Sequence, residues 1–200
     1  MSRSHRVLCV AGSPRRHGNS DRLLDALSEG VTQVGGEPIR LAVADAGISP
    51  CRGCHRCSGD GQCVVSDGMD DVYRLLDSVD AIAVATPVFF ATVPAVLKTM
   101  YDRCQPYWAR RYVLGQPPAA RKRPGAALVV GGGGDPFGTS CAITPTKSVF
   151  GVLGVSLDHV LEVVGPDAPR DIERYPAELE RAVAIGRDLG SAPLETPSGE

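Results

Sequence analysis

Short apolar runs alternate with helically spaced hydrophobic positions along the chain, separated by polar, glycine-rich loops. Arg6 to Ala11 is an apolar run that predicts a buried strand. After the polar stretch Gly12–Asn19, Leu23, Leu24, Leu27 and Val31 recur at helical spacing over Ser20–Val34, and Gly35–Gly36 ends that helix. Pro38–Ala44 predicts a second strand, and the glycine-rich segment after it, poor in apolar residues, predicts a loop. Val72, Leu75 and Leu76 predict a helix over Met69–Ser78, and Ala81–Ala85 a third, wholly apolar strand. Pro94 suits the first turn of a helix reaching about Arg103. Gln105–Pro124 has no clear period and reads as irregular; it holds the only tryptophan, Trp108. Ala126–Val130 is a fourth strand and Thr139–Gly151 a helix, with Pro145 disturbing the pattern. Val155–Val164 contains a fifth strand, and Pro176–Leu189 is a final helix. Residues 191–200 lack periodicity and read as a disordered tail, leaving a single domain over 1–190.

Strands alternate with helices throughout, and the strands are continuous apolar runs. That combination indicates a parallel sheet covered on both faces. Ligands of such sheets bind beyond the carboxyl ends of the strands. The loops that follow strands therefore become the candidates for function.

Composition excludes several classes. At 200 residues, 43% hydrophobic and 22% charged, the chain can build a sizeable core. A net charge of −2 gives no footprint for nucleic acid or an anionic membrane. No apolar run approaches a membrane span, and the N-terminus lacks the pattern of a signal peptide. A cytoplasmic location follows, where thiols stay reduced. The odd cysteine count, 7, also argues against a secreted disulfide framework.

Those cysteines carry the most specific signal. Cys51, Cys54, Cys57 and Cys63 form a C-x2-C-x2-C-x5-C run within residues 50–64. Compact C-x2-C-x2-C runs suit a 4Fe–4S cluster, because a short loop can present several thiolates to one cubane. Structural zinc more often uses two C-x2-C knuckles, and no second knuckle exists here. Reduced or redox-active thiols without metal are the third reading. His55 sits too close to its neighbours to be an obvious ligand. Cys9 reads as core, Cys104 as a helix end, and Cys141 as the opening of a helix, where a lowered pKa is expected.

The first strand runs into Gly12-Ser13-Pro14-Arg15-Arg16-His17-Gly18-Asn19-Ser20 and then a helix. A helix N-terminus offers free N–H groups and a positive dipole end to a phosphate. The spacing is neither a Walker A loop nor a dinucleotide fingerprint. A plain polar loop with Ser20 as helix cap is the bland alternative. Gly12-Ser13-Pro14-Arg15 followed by Gly18-Asn19-Ser20 resembles the FMN-phosphate loop of the NADPH-dependent FMN reductase family. The resemblance implies a flavodoxin-like fold, with a five-stranded parallel sheet in order 2-1-3-4-5. It makes Ser13, Arg15, Asn19 and Ser20 the phosphate binders.

The third strand continues into P-V-F-F-x-x-V-P-x-x-L-K-x-x-x-D-R, from Pro87 to Arg103. This order resembles the same family's flavin loop and following helix, which places Pro87, Val88, Phe89 and Phe90 along the isoalloxazine ring. The family often carries Tyr where this chain has Phe89. After the fourth strand, Gly131, Gly132, Gly133 and Gly134 permit close backbone approach, and Asp135 follows. The resemblance puts this loop beside the flavin.

Within that family the cysteine run looks like that of archaeal-type iron–sulfur flavoproteins, which carry it after the second strand. The resemblance implies a converter between two-electron and one-electron chemistry, with FMN and a 4Fe–4S cluster as cofactors and no catalytic side chain. It implies a homodimer or homotetramer with small-molecule or protein electron donors and acceptors, NAD(P)H or ferredoxin among the donors. The alternatives are an NAD(P)H-dependent flavin or quinone reductase without a cluster, and a redox carrier or sensor with zinc or a disulfide at the cysteines.

Overall fold

A computed structural model describes residues 3–116, 118 and 122–191. Among them, five parallel strands form one sheet: β1 (Arg6–Ala11), β2 (Glu37–Ala42), β3 (Ala81–Pro87), β4 (Arg123–Gly131) and β5 (Val155–Val164). Their order is β2-β1-β3-β4-β5, all neighbours parallel, as the resemblance implied. The α-helices among the described residues are α1 (Asn19–Gln33), α2 (Cys57–Asp60), α3 (Met69–Ser78), α4 (Ala95–Asp102), α5 (Gln105–Tyr112), α6 (Ser140–Leu153) and α7 (Pro176–Ser191).

The strands are apolar on both sides because helices cover both faces. Leu8 and Val10 of β1 and Ile82 and Val84 of β3 turn to the α3–α4–α6 side. Val7 and Cys9, with Ala81, Ala83 and Ala85, turn to α1 and α7. Alternation of side chains along each strand sorts one apolar run into two cores. The small residues of β3 on the α1–α7 side let those helices lie close to the sheet.

Two glycines bring α1 and α7 together. A Cβ on Gly30 would stand 2.0 Å from the Val183 carbonyl oxygen, and one on Gly186 would stand 2.0 Å from that of Leu27. Backbone meets backbone there, with no room for a side chain.

Most predicted elements appear within two or three residues of their expected bounds. The segment 105–124 differs: its first part is the helix α5. Pro106 sits in the first turn, where its missing N–H costs nothing, and Tyr107 and Ala109 face inward. Residues 117 and 119–121 of that segment lie outside the described residues. Ser191, expected to open the tail, ends α7, and 192–200 lie outside the described residues.

Gly186→Ala should lower the free energy of unfolding by about 1–3 kcal/mol through the backbone clash. Helix propensity alone predicts a gain of about 1 kcal/mol for that change. Urea denaturation decides: a stabilised variant would mean the helices do not approach this closely.

Candidate functional site

The carboxyl ends of β1, β3, β4 and β5 meet around one cleft of about 460 Å³. Its position is the topological switch point between β1 and β3, where the chain leaves the sheet in opposite directions. The Gly12 N–H donates to the Ala85 carbonyl at 2.8 Å, and the Val88 N–H to the Val130 carbonyl at 2.9 Å. These bonds seat the two loops on the end of the sheet.

The loop from Gly12 to Gly18 winds directly into α1. Gly18 is the N-cap and brings no side-chain cap, so the first-turn N–H groups keep their capacity for a ligand. Ser13 Oγ accepts the Arg15 N–H at 3.1 Å. The Arg15 guanidinium lies 6.0 Å from the centre of the Phe89 ring, which brings its charge to the cleft wall. Ser20 is buried. Asn19 is engaged elsewhere. Its amide donates to the Ala168 carbonyl at 3.0 Å, and its carbonyl accepts the Ile172 N–H at 3.1 Å. Its side chain ties this loop to the one after β5. Asp21, in the first turn of α1, accepts the His17 N–H at 2.7 Å and pairs with Arg40, so its charge is engaged within the protein.

Pro87, Val88, Phe89 and Phe90 form the apolar wall. Phe89 and Thr92 exchange two backbone hydrogen bonds around Phe90 and Ala91, both at positive φ (48° and 56°). Such a turn normally takes Gly or Asn, and a phenylalanine there is strained. Asp135 braces it, its carboxylate accepting the Ala91 N–H at 3.0 Å and the Phe137 N–H at 2.8 Å. Gly132 lines the cleft, Gly131 ends β4, and Gly133 takes φ 97° just beyond. Pro166, Asp167 and Pro169, after β5, make a fourth wall that the sequence pattern did not point to. A Gly-Pro-x-x-Pro loop at the end of the fifth strand was the available signal.

The cysteine loop leaves β2 and builds a second cavity, of about 430 Å³, against the junction of α4 and α5. Cys51, Cys54, Cys57 and Cys63 all line it and all are free thiols. Gln105, Pro106 and Trp108 of α5 form the opposite wall. Arg110 of the same helix donates to the Gly61 carbonyl at 2.9 Å and holds the turn between Cys57 and Cys63. Burial raises the Cys57 thiol, and the charges of Cys63, Cys51 and Cys54 raise it further. A cationic group bound beside Cys57 would relieve that opposition to its thiolate. His55 is exposed, at φ 56°. Among the described residues, no three His, Cys, Asp or Glu side chains are grouped to hold a single metal ion.

Arg103 fastens this loop. Its guanidinium, with no exposed surface, donates to the Ser49 carbonyl at 2.9 Å and the Val65 carbonyl at 3.0 Å. It pairs with Asp67 at 2.8 Å. One side chain therefore grips the backbone on both flanks of the cysteine run. Burial opposes the Asp67 charge, but Arg103 and the N–H groups of Ser49 and Met69 outweigh it and hold the carboxyl well below the usual range.

The other three cysteines are not poised for chemistry. Burial pushes Cys9 up to about 11 and Cys104 up to about 12. The position of Cys141 at the start of α6 predicts a lowered pKa; instead burial and then Asp135 raise it.

The sheet order, and the cleft walled by the loop that opens α1 and by Pro87–Phe90, define a flavodoxin-like class. The NADPH-dependent FMN reductase family model matches residues 5–155, and the chain belongs to that family. It is an FMN-dependent oxidoreductase. An iron–sulfur flavoprotein of Archaeoglobus fulgidus is 32% identical over 183 residues, 92% of this chain and 78% of that relative. An iron–sulfur flavoprotein of Methanosarcina thermophila is 31% identical over 64% of this chain and 63% of its own length. Among solved structures, an NAD(P)H:quinone oxidoreductase from Methanothermobacter marburgensis superposes with a TM-score of 0.65 at 21% identity, covering 94% of this chain and all of that one (100%). That likeness is one of fold. No helix among the described residues is long and apolar enough to cross a membrane.

Asp67→Asn should destabilise the protein by about 3 kcal/mol at pH 7, because it strands a buried guanidinium. The folded carboxyl lies below its unfolded value, so its stabilising contribution is complete above about pH 4 and is lost as pH falls below that. Denaturation across pH should show the gap between variant and wild type narrowing in acid. A gap independent of pH would count against the ion pair.

Proposed function

We propose that the chain is an electron-transfer flavoprotein in which FMN lies in the cleft at the carboxyl edge and a 4Fe–4S cluster is held by Cys51, Cys54, Cys57 and Cys63. The observation that supports the cluster is the second cavity, lined by four free thiols in the spacing C-x2-C-x2-C-x5-C. FMN, once bound, exchanges electrons in pairs or singly, and a cluster exchanges one at a time.

The protein's part is to bind and orient. Ser13, Arg15, Ser20 and the first-turn N–H groups of α1 receive the phosphate, while Asn19 holds their loop in place. Pro87, Val88, Phe89 and Phe90 give the ring a flat apolar wall, and Gly131, Gly132 and Gly133 let backbone approach its other edge. Asp135 keeps the strained Phe90–Ala91 turn in position. No side chain is required as acid or base. The protein works in the cytoplasm as a homodimer or homotetramer, with NAD(P)H or a small redox protein as donor.

Anaerobically purified protein should contain FMN together with about four iron and four sulfide per chain. Cys54→Ser should lose the iron and keep the flavin spectrum. FMN without iron in the wild type would leave a simple NAD(P)H-dependent flavin or quinone reductase and sink the cluster. Arg15→Ala should raise the Kd for FMN by about tenfold to a hundredfold, the worth of a charged hydrogen bond of about 1.5–3 kcal/mol. Riboflavin, which has no phosphate, should bind both proteins equally. A matching loss for riboflavin would place Arg15 at the ring instead.

A further inference from the structure

Arg103 is the largest fully buried side chain among the described residues. A buried guanidinium normally satisfies its donors. Here both terminal nitrogens are engaged, by Asp67, Ser49 and Val65, yet Nε has no hydrogen-bond partner among the described residues. The same side chain lines the thiol cavity beside Cys63. Burial works against its charge, while the Asp67 hydrogen bond sustains it. The Asp67 carboxylate, for its part, is engaged by the backbone N–H groups of Ser49 and Met69. A positive charge is thus fixed at the wall of the thiol cavity, with its partner carboxylate held away on the loop's backbone by Ser49 and Met69.

A clamp for the loop could be built without this. Neutral donors would hold the carbonyls of Ser49 and Val65, and no ionic side chain need be buried to do so. A permanent charge matters where the charge of a neighbour changes. A four-thiolate iron–sulfur cluster gains one unit of negative charge when one electron enters it from a reductant. A fixed cation in a low-dielectric wall favours that state.

Resting on the cluster reading above, we propose that Arg103 is a positioning residue that raises the reduction potential of the cysteine-bound cluster through its fixed positive charge, beyond its role in holding the loop. The chemistry of the pair gives a sign for each partner. Removing the guanidinium leaves Asp67 negative and lowers the potential. Removing the carboxylate leaves the guanidinium uncompensated and raises it.

The test uses intact, anaerobically purified wild type, Arg103→Gln, Arg103→Lys and Asp67→Asn. Iron, sulfide and FMN are counted per chain, and the cluster is titrated with dithionite while its electron paramagnetic resonance signal is followed. Arg103→Gln should shift the reduction equilibrium toward the oxidised form by about tenfold or more, about 59 mV for a one-electron couple. Arg103→Lys, which keeps the charge, should restore most of that shift. Asp67→Asn should move the midpoint the opposite way. An unchanged midpoint in Arg103→Gln, or a lysine variant displaced as far as the glutamine one, overturns the role of Arg103 while leaving the cluster standing. If Arg103→Gln holds no iron, Asp67→Asn decides alone, and a midpoint that stays or falls overturns the proposal. Wild-type protein with FMN but no iron overturns the cluster reading, and this proposal with it.

Discussion

The buried ion pair of Arg103 and Asp67 is the constraint on which the second cavity depends. Isolated guanidinium groups are not buried without strong compensation. Here the compensation comes from Asp67 and from the backbone carbonyls of Ser49 and Val65, and those carbonyls flank the cysteine run. The loop between them has few apolar residues to bury and no regular structure beyond one helical turn. Its shape is therefore set at its two ends and by Arg110 on the Gly61 carbonyl. Hydrophobic packing fixes the sheet and helices; hydrogen bonds from two arginines fix the thiols.

The two cavities share an element. α4 begins a few residues after the Pro87–Phe90 wall of the cleft and ends at Arg103. Its 8 residues amount to about 12 Å of helix. The order of motifs in the chain, aromatic wall then L-K-x-x-x-D-R, thus translates into a rigid spacer with the aromatic wall of the cleft at one end and the thiol clamp at the other. Leu97 and Met100 bury this helix against the sheet, so the spacing between its ends is set by the core.

Much of this was legible in sequence because its signals are local. Apolar runs gave the strands, glycine and proline marked the turns, and the polar loop that lines the cleft stood out by its place between a strand and a helix. Three features were not legible. α5 was obscured because its inward face is built from Pro106, Tyr107 and Ala109, a weak pattern over 8 residues. The Pro166–Pro169 wall contributes by position alone, brought to the cleft by the register of β5 against β4. Asn19 reads as a phosphate ligand from its place in the loop, but its amide is taken by Ala168 and Ile172, more than a hundred residues later in the chain. Each case depends on long-range contact, which local pattern does not encode.

The same distinction separates what Arg103 means in sequence from what it means in the fold. In sequence it closes the motif of the flavin loop and its following helix. In the fold it faces the other cavity and has no contact with the cleft's lining residues among its hydrogen bonds. A motif that reads as one functional unit thus serves two sites, one at each end of α4. Its last residue serves the thiol loop, where a lysine would supply the charge but not the fork that spans Ser49, Val65 and Asp67. The geometry of the loop asks for the planar guanidinium, and the electrostatics of the cavity asks only for its charge.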